Sequence, residues 1–304
     1  MDDKAKVGGV RFRMSVANAV VEVRALHQGV RHLCEDYLIG AGFGVAEVAR
    51  GFGEAAGAPA PGGVAGDAAV CEARPGGVAA GGAAAGFPAP ADLVVSVTQA
   101  DIDAERECST DEHSWSDAYL ETLAVLRRIA EWAPQHRRLL VHGAAIQYDG
   151  RAYLFTAPSG TGKSTHIKLW RRYLGAAVKV VNGDKPFVLV PEAPDAAPVA
   201  YGTPWSGKEC WQENASAPLA GICLLSRAES GATRIDRIPA ADALDRIIRQ
   251  VYLPPNALAA ANALELLDAL LARVPVYDLA VDMSEDAVRT SFEALTGLPY
   301  RPAI

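Results

Sequence analysis

Apolar and polar positions follow two rhythms along this chain. Over residues 10–26, VRFRMSVANAVVEVRAL, they alternate in part, which is the period of a half-buried strand and predicts a small β-rich element. The segment ADLVVSVTQADI, from residue 91, opens on another strand-like run. Over 115–132 the period lengthens: Tyr119, Leu123, Leu126 and Ala130 share one helical face. Two further strand-like runs flank Asp149-Gly150, a strong hairpin signal. The second run, RAYLFTA, enters a Gly-rich turn, and KSTHIKLWRRYLG continues as a helix ended by Gly175. AAVKVV and PLAGICLL read as strands, the first stopping at NGDKP. In the C-terminal third, Leu244, Ile247, Ile248 and Val251 mark one helix, and Leu264, Leu267 and Leu271 mark the next. PVYDLAV is a strand, and Ser284 and Gly297 bracket a last helix.

Strands alternating with helices make the fold class α/β. Both rhythms vanish over 51–91, where Gly and Ala dominate and Pro is scattered. Such a stretch buries too little to offset its ordering entropy, so it reads as a flexible insertion. The expected organisation is therefore a small β-rich element at 1–50, the insertion at 51–91 and an α/β domain at 92–304.

Composition narrows the partners. The net charge of −7 comes with no basic stripe, which argues against nucleic acid. The acidic start, MDDKAKVGGV, lacks a secretory apolar core, and no apolar run reaches the roughly 18–20 residues of a membrane helix. Five widely spread cysteines without a CxxC pair fit neither a disulfide framework nor a zinc site, and point to a reducing cytoplasm. Cys223, in GICLL, reads as a small buried hydrophobe.

The chemistry concentrates in FTAPSGTGKSTH, residues 155–166. A strand, a Gly-rich turn and a helix start in that order build a phosphate cradle. Gly160 and Gly162 carry no Cβ penalty and let several amides face one point. Ser159, Gly160, Thr161, Gly162, Lys163, Ser164 and Thr165 form the expected nucleotide-binding loop. Lys163 would reach the β- and γ-phosphates, and the Ser164 hydroxyl would bind Mg²⁺. Ala157 stands where such loops usually have their first glycine, which is tolerable at negative φ. The plainer alternative is a Gly-rich turn without a ligand. His166 reads as a face residue of the helix rather than a catalyst.

A carboxylate near the metal should follow a neighbouring strand, and VKVVNGDKP puts Asp184 there. It could bind Mg²⁺, take the proton of an attacking hydroxyl, or simply belong to an NGD turn. Lys185 could pair with phosphate or be solvated. Further on, GTPWSGKE offers Trp205 as an aromatic anchor, Lys208 as a cation and Glu209 as a carboxylate, able to position a phosphate, a metal-bound water or a substrate chain; a plain surface loop is the alternative.

Taken together, VHGAAIQYDGRAYLFTAPSGTGKSTH and VVNGDKP resemble the catalytic domain of the HPr kinase/phosphorylase family, which shares its core with phosphoenolpyruvate carboxykinase. The resemblance covers about 138–228 and not 1–100. It implies a P-loop kinase core at 92–304 that uses ATP and Mg²⁺ to phosphorylate a serine or threonine hydroxyl of a protein or peptide. It gives catalytic roles to Asp184, as general base, to His142 on the preceding strand, and to Lys163. Ser164, Asp184 and Glu209 become candidate metal ligands, and a homo-oligomer is implied by analogy. The family's paired aspartates are reduced here to Gly183-Asp184, which puts the reverse phosphorolysis in doubt. YGTPWSGKECWQENASAPLAGI looks like a subgroup associated with peptide modification, including kinases of lasso-peptide precursors. Two other functions remain open at this point: a metabolite kinase or carboxykinase-like enzyme on the same core, and a non-catalytic nucleotide-binding module.

Overall fold

A computed structural model describes residues 9–40, 90–108, 115–229 and 231–303. The insertion expected at 51–91 therefore lies almost wholly outside the described residues. The chain divides into two compact units, Met1–Thr122 and Leu123–Ile304.

The first unit is built on a three-stranded sheet in the order β1 (Val10–Val16), β2 (Ala19–Ala25), β3 (Leu93–Ser96). β1 and β2 form a hairpin through Ala17 and Asn18, both at positive φ, and β3 runs parallel to β2. Three helices accompany it: α1 (Gln28–Leu33), α2 (Gln99–Cys108) and the first part of α3 (Asp117–Trp132). The expected alternation is present. Phe12, Met14, Val21 and Val23 are buried, while Arg11 and Arg24 point outward around the buried carboxylate of Glu22. Because β3 pairs with β2, Leu93–Ser96 belong to this unit, although the sequence groups them with the kinase-like domain.

In the second unit nine strands form one sheet: β4 (Arg138–Leu140), β5 (Ala144–Tyr148), β6 (Arg151–Thr156), β7 (Lys179–Asn182), β8 (Phe187–Leu189), β9 (Val199–Tyr201), β10 (Ser216–Arg227), β11 (Arg234–Ile238) and β12 (Val276–Val281). The helices are α4 (Lys163–Leu174), α5 (Ala240–Ile247), α6 (Ala257–Leu271) and α7 (Glu285–Thr296). β10 organises the sheet. Its start pairs antiparallel with β9, and its later part runs parallel to β6 on one side and β12 on the other. Asp149 and Gly150, with φ of 47° and 71°, close the β5–β6 hairpin as the sequence predicts.

Side chains alternate across the sheet and bury both faces. Leu154, Ile222 and Leu224 join Ile247 of α5 and Leu267 and Leu270 of α6 in one core. Tyr153, Phe155, Cys223 and Leu225 join Ile167 and Trp170 of α4 and Val288 and Phe292 of α7 in the other. The result is a three-layer α/β sandwich, with strands apolar on both sides. Two helical faces differ from expectation. Leu244 and Leu264 are 44% and 42% exposed, because alanines (Ala243, Ala259 and Ala263) occupy the buried stripes. Val251 is not helical; it bridges to Val141.

Cys34, Cys108 and Cys223 are free thiols, and Cys223 is fully buried as expected. Cys210 is disulfide-bonded, although the sequence fits no disulfide framework. Spacing along a chain does not report proximity in space. Among the described residues no helix is long and apolar enough to cross a membrane.

Candidate functional site

The sheet delivers β6 into the Gly-rich turn. Thr156 ends the strand and donates to the His142 carbonyl at 2.7 Å, tying the turn to the segment just before β5. The chain then bends at Gly160 and Gly162, whose φ of 77° and 122° a side chain would resist. Ala157 keeps a negative φ, so the missing first glycine costs nothing here. Thr161 Oγ1 donates back to the Pro158 carbonyl at 2.8 Å. Arg227, at the end of β10, donates to the carbonyls of Gly160 and Thr161 at 2.7 and 3.3 Å. Sequence reasoning missed this clamp, because nothing local marks Arg227 as a neighbour of the turn.

α4 starts at Lys163 with Gly162 as N-cap, and no side chain caps it. Its first amides and its dipole therefore face the turn, an arrangement suited to an anion. Ser159, Gly160 and Thr165 are exposed, Thr161 and Ser164 half-buried, and Lys163 buried. Lys163 Nζ donates to the Ala157 carbonyl at 2.7 Å and lies 3.3 Å from His142 Nε2.

Asp184 is brought to the same place by an Asx turn. β7 ends at Asn182, whose Oδ1 accepts from the amides of Asp184 and Lys185 at 2.9 and 2.6 Å. Asn182 Nδ2 in turn donates to the carbonyls of Thr203 and Trp205 at 3.0 and 3.3 Å. Both Asn182 and Thr203 are fully buried, so this polar knot fixes the carboxylate's backbone.

Asp184 Oδ1 lies 3.4 Å from His142 Nε2, and Oδ2 pairs with Lys185 Nζ. Burial alone would raise the Asp184 pKa. The hydrogen bond from His142 and the charge of Lys185 together outweigh it and hold the carboxyl at about 2. Lys163 is shifted downward, mainly by burial, while the charge of Asp184 opposes the shift. His142 Nδ1 meets Gln250 Oε1 at 2.9 Å, so that nitrogen carries the hydrogen.

Three of the expected residues, His142, Lys163 and Asp184, thus form one contiguous cluster. Lys185, which the sequence offered as a phosphate partner or a solvated residue, joins it; Gln250, Asn182 and Thr203 support it, and these three were not singled out from sequence. The 203–213 loop divides. Trp205 is buried, and Gly207, at φ 75°, packs against Asp184 so closely that an added Cβ would stand 2.9 Å from the Asp184 Cβ. Lys208 is exposed. Glu209 pairs with Lys168 of α4 at 3.0 Å, and Trp211 stacks under Lys168 and Arg171. His166 lies in the core, where its Nε2 accepts from Trp170 Nε1 at 3.0 Å.

A divalent metal would find few protein ligands here. Among the described residues no group of three or more His, Cys, Asp or Glu side chains converges. Ser164 and Asp184 supply one hydroxyl and one carboxylate, which fits Mg²⁺ carried largely on substrate phosphates and water rather than in a protein cage.

No protein-family model matches the chain, and no curated protein does. A solved structure that overlaps it is the Hpr(Ser) kinase/phosphatase from Coxiella burnetii, at 12% identity over 52% of this chain and 93% of that one, with a TM-score of 0.29. The likeness is weak.

Proposed function

We propose that this chain is a P-loop phosphotransferase that moves the γ-phosphoryl group of ATP to a serine or threonine hydroxyl of a protein or peptide. The observation that carries the reading is the placement of Asp184. It is the carboxylate of a cluster that runs through His142 to Lys163, the lysine of the Gly-rich turn. A carboxylate placed there can serve both Mg²⁺ and the proton of an acceptor hydroxyl.

In this reading the amides of residues 160–165 and Lys163 hold the β- and γ-phosphates. Ser164 and Asp184 would hold Mg²⁺, which would supply charge neutralisation for the transferred group. Asp184 is ionised at neutral pH and orients the acceptor hydroxyl, receiving its proton late, as suits a loose transition state. His142 holds Asp184 from one side, and Gln250 orients His142. Catalysis of this kind is mainly positioning and charge neutralisation.

The test is incubation with γ-labelled ATP, Mg²⁺ and a peptide library or cell extract. Label should appear on hydroxyls of protein or peptide. Asp184→Asn should bind nucleotide as the parent does and lose at least about a hundredfold in transfer. Unchanged transfer by Asp184→Asn would remove the assignment. Label confined to small molecules would make the chain a metabolite kinase.

A further inference from the structure

Lys185 has no assigned task in the scheme above, yet it is the nearest cation to the carboxylate that the scheme depends on. Its backbone is fixed on both sides. The amide donates to Asn182 Oδ1 at 2.6 Å, and the carbonyl accepts from Thr203 Oγ1 at 2.8 Å. What remains free to move is a flexible four-carbon stem ending in an ammonium. That ammonium rests on Asp184 Oδ2, in a pair whose side chains are 35% and 22% exposed. A ligand can therefore reach it.

The charges of the cluster do not balance. From Lys185 through Asp184 and His142 to Lys163, successive polar atoms are in contact, and the run contains two ammoniums against one carboxylate. Lys163 is satisfied by the carbonyls of its own turn, while Lys185 has Asp184. A terminal phosphate beside Lys163 adds the missing negative charge, and it also competes with Asp184 for Lys185.

We propose that Lys185 is a second phosphate ligand, specific for the terminal phosphoryl group of a nucleoside triphosphate, and that in binding it releases one oxygen of Asp184 toward the acceptor hydroxyl. This rests on the kinase reading. The release couples the two events: Asp184 is freed on the side of Lys185 only when a group able to be transferred is in place. A diphosphate, ending short of that point, leaves the Lys185–Asp184 pair intact.

The experiment compares the full chain with Lys185→Met, Lys185→Arg and Lys163→Met, using fluorescent analogues of ATP and ADP with EDTA present and then with Mg²⁺. Circular dichroism and melting curves confirm that each variant is folded. Lys185→Met should weaken ATP analogue binding by about ten- to a hundredfold and leave ADP analogue binding within about twofold. Lys185→Arg should recover most of the ATP preference, and Lys163→Met should weaken both nucleotides. An unchanged ATP-to-ADP ratio in Lys185→Met, with binding intact in the parent, overturns this inference and leaves the kinase reading standing. Absence of nucleotide binding by the parent chain overturns both.

Discussion

Gln250 Oε1 accepts a hydrogen bond from His142 Nδ1 at 2.9 Å, across 108 positions of sequence. The same two residues are joined through their backbones, His142 N donating to the Gln250 carbonyl at 2.7 Å. The side-chain bond can therefore be removed while the main-chain tie persists.

Gln250→Leu should keep nucleotide affinity within about twofold and lower phosphoryl transfer by about tenfold or more, because the imidazole loses its fixed orientation beside Asp184. The destabilisation should be about 0.5–1.5 kcal/mol, the usual net worth of a hydrogen bond that solvent can partly reach. Steady-state kinetics set beside urea unfolding separates the two effects. Equal losses in binding and turnover would place Gln250 in the scaffold alone.

Gly207→Ala adds a Cβ at a left-handed backbone position, 2.9 Å from the Asp184 Cβ. Strain of about 1–2 kcal/mol is expected from the backbone. The contact should also displace the carboxylate, so transfer should fall further than nucleotide binding does. Parental kinetics in this variant would show that the loop yields and the carboxylate stays where it is.

The third prediction concerns pH. Burial pushes the His166 pKa from 6.5 down to about 3. Between those values the unfolded chain binds a proton that the folded chain excludes. The contribution of neutral His166 is thus complete above about pH 6.5 and shrinks as pH falls toward 3. Protonation would also remove the acceptor used by Trp170 Nε1. Urea unfolding at pH 7 and pH 4 should show the parent losing more stability than His166→Gln, by an amount on the order of a few kcal/mol. Identical losses in the two chains would mean that His166 titrates normally.

Much of the site was legible because its signals are local. A strand, two glycines and Lys163-Ser164 need no distant partner to be read, and Asp149-Gly150 names its own turn. The core layers follow from strands with consecutive apolar positions, such as Ile222–Leu225 of β10, which suit a sheet covered on both faces. What sequence hid was either long-range or small. Gln250 and Arg227 matter because the fold carries them to a loop far away in the chain. On α6, leucines surround the helix, so periodicity could not show that Ala259 and Ala263 mark its buried side. The N-terminal sheet recruits β3 from beyond the insertion, a pairing no local pattern announces.

Tyr201 of β9 and Ser216 of β10 stand opposite each other in the ladder, so everything from 202 to 215 departs from and returns to a single rung. That excursion is laced to β7: Gly183 N donates to the Trp211 carbonyl at 2.8 Å, and Glu213 N to the Val181 carbonyl at 3.2 Å. An insertion there would pull on the strand end that carries Asn182, so variation is confined to exposed side chains such as Lys208.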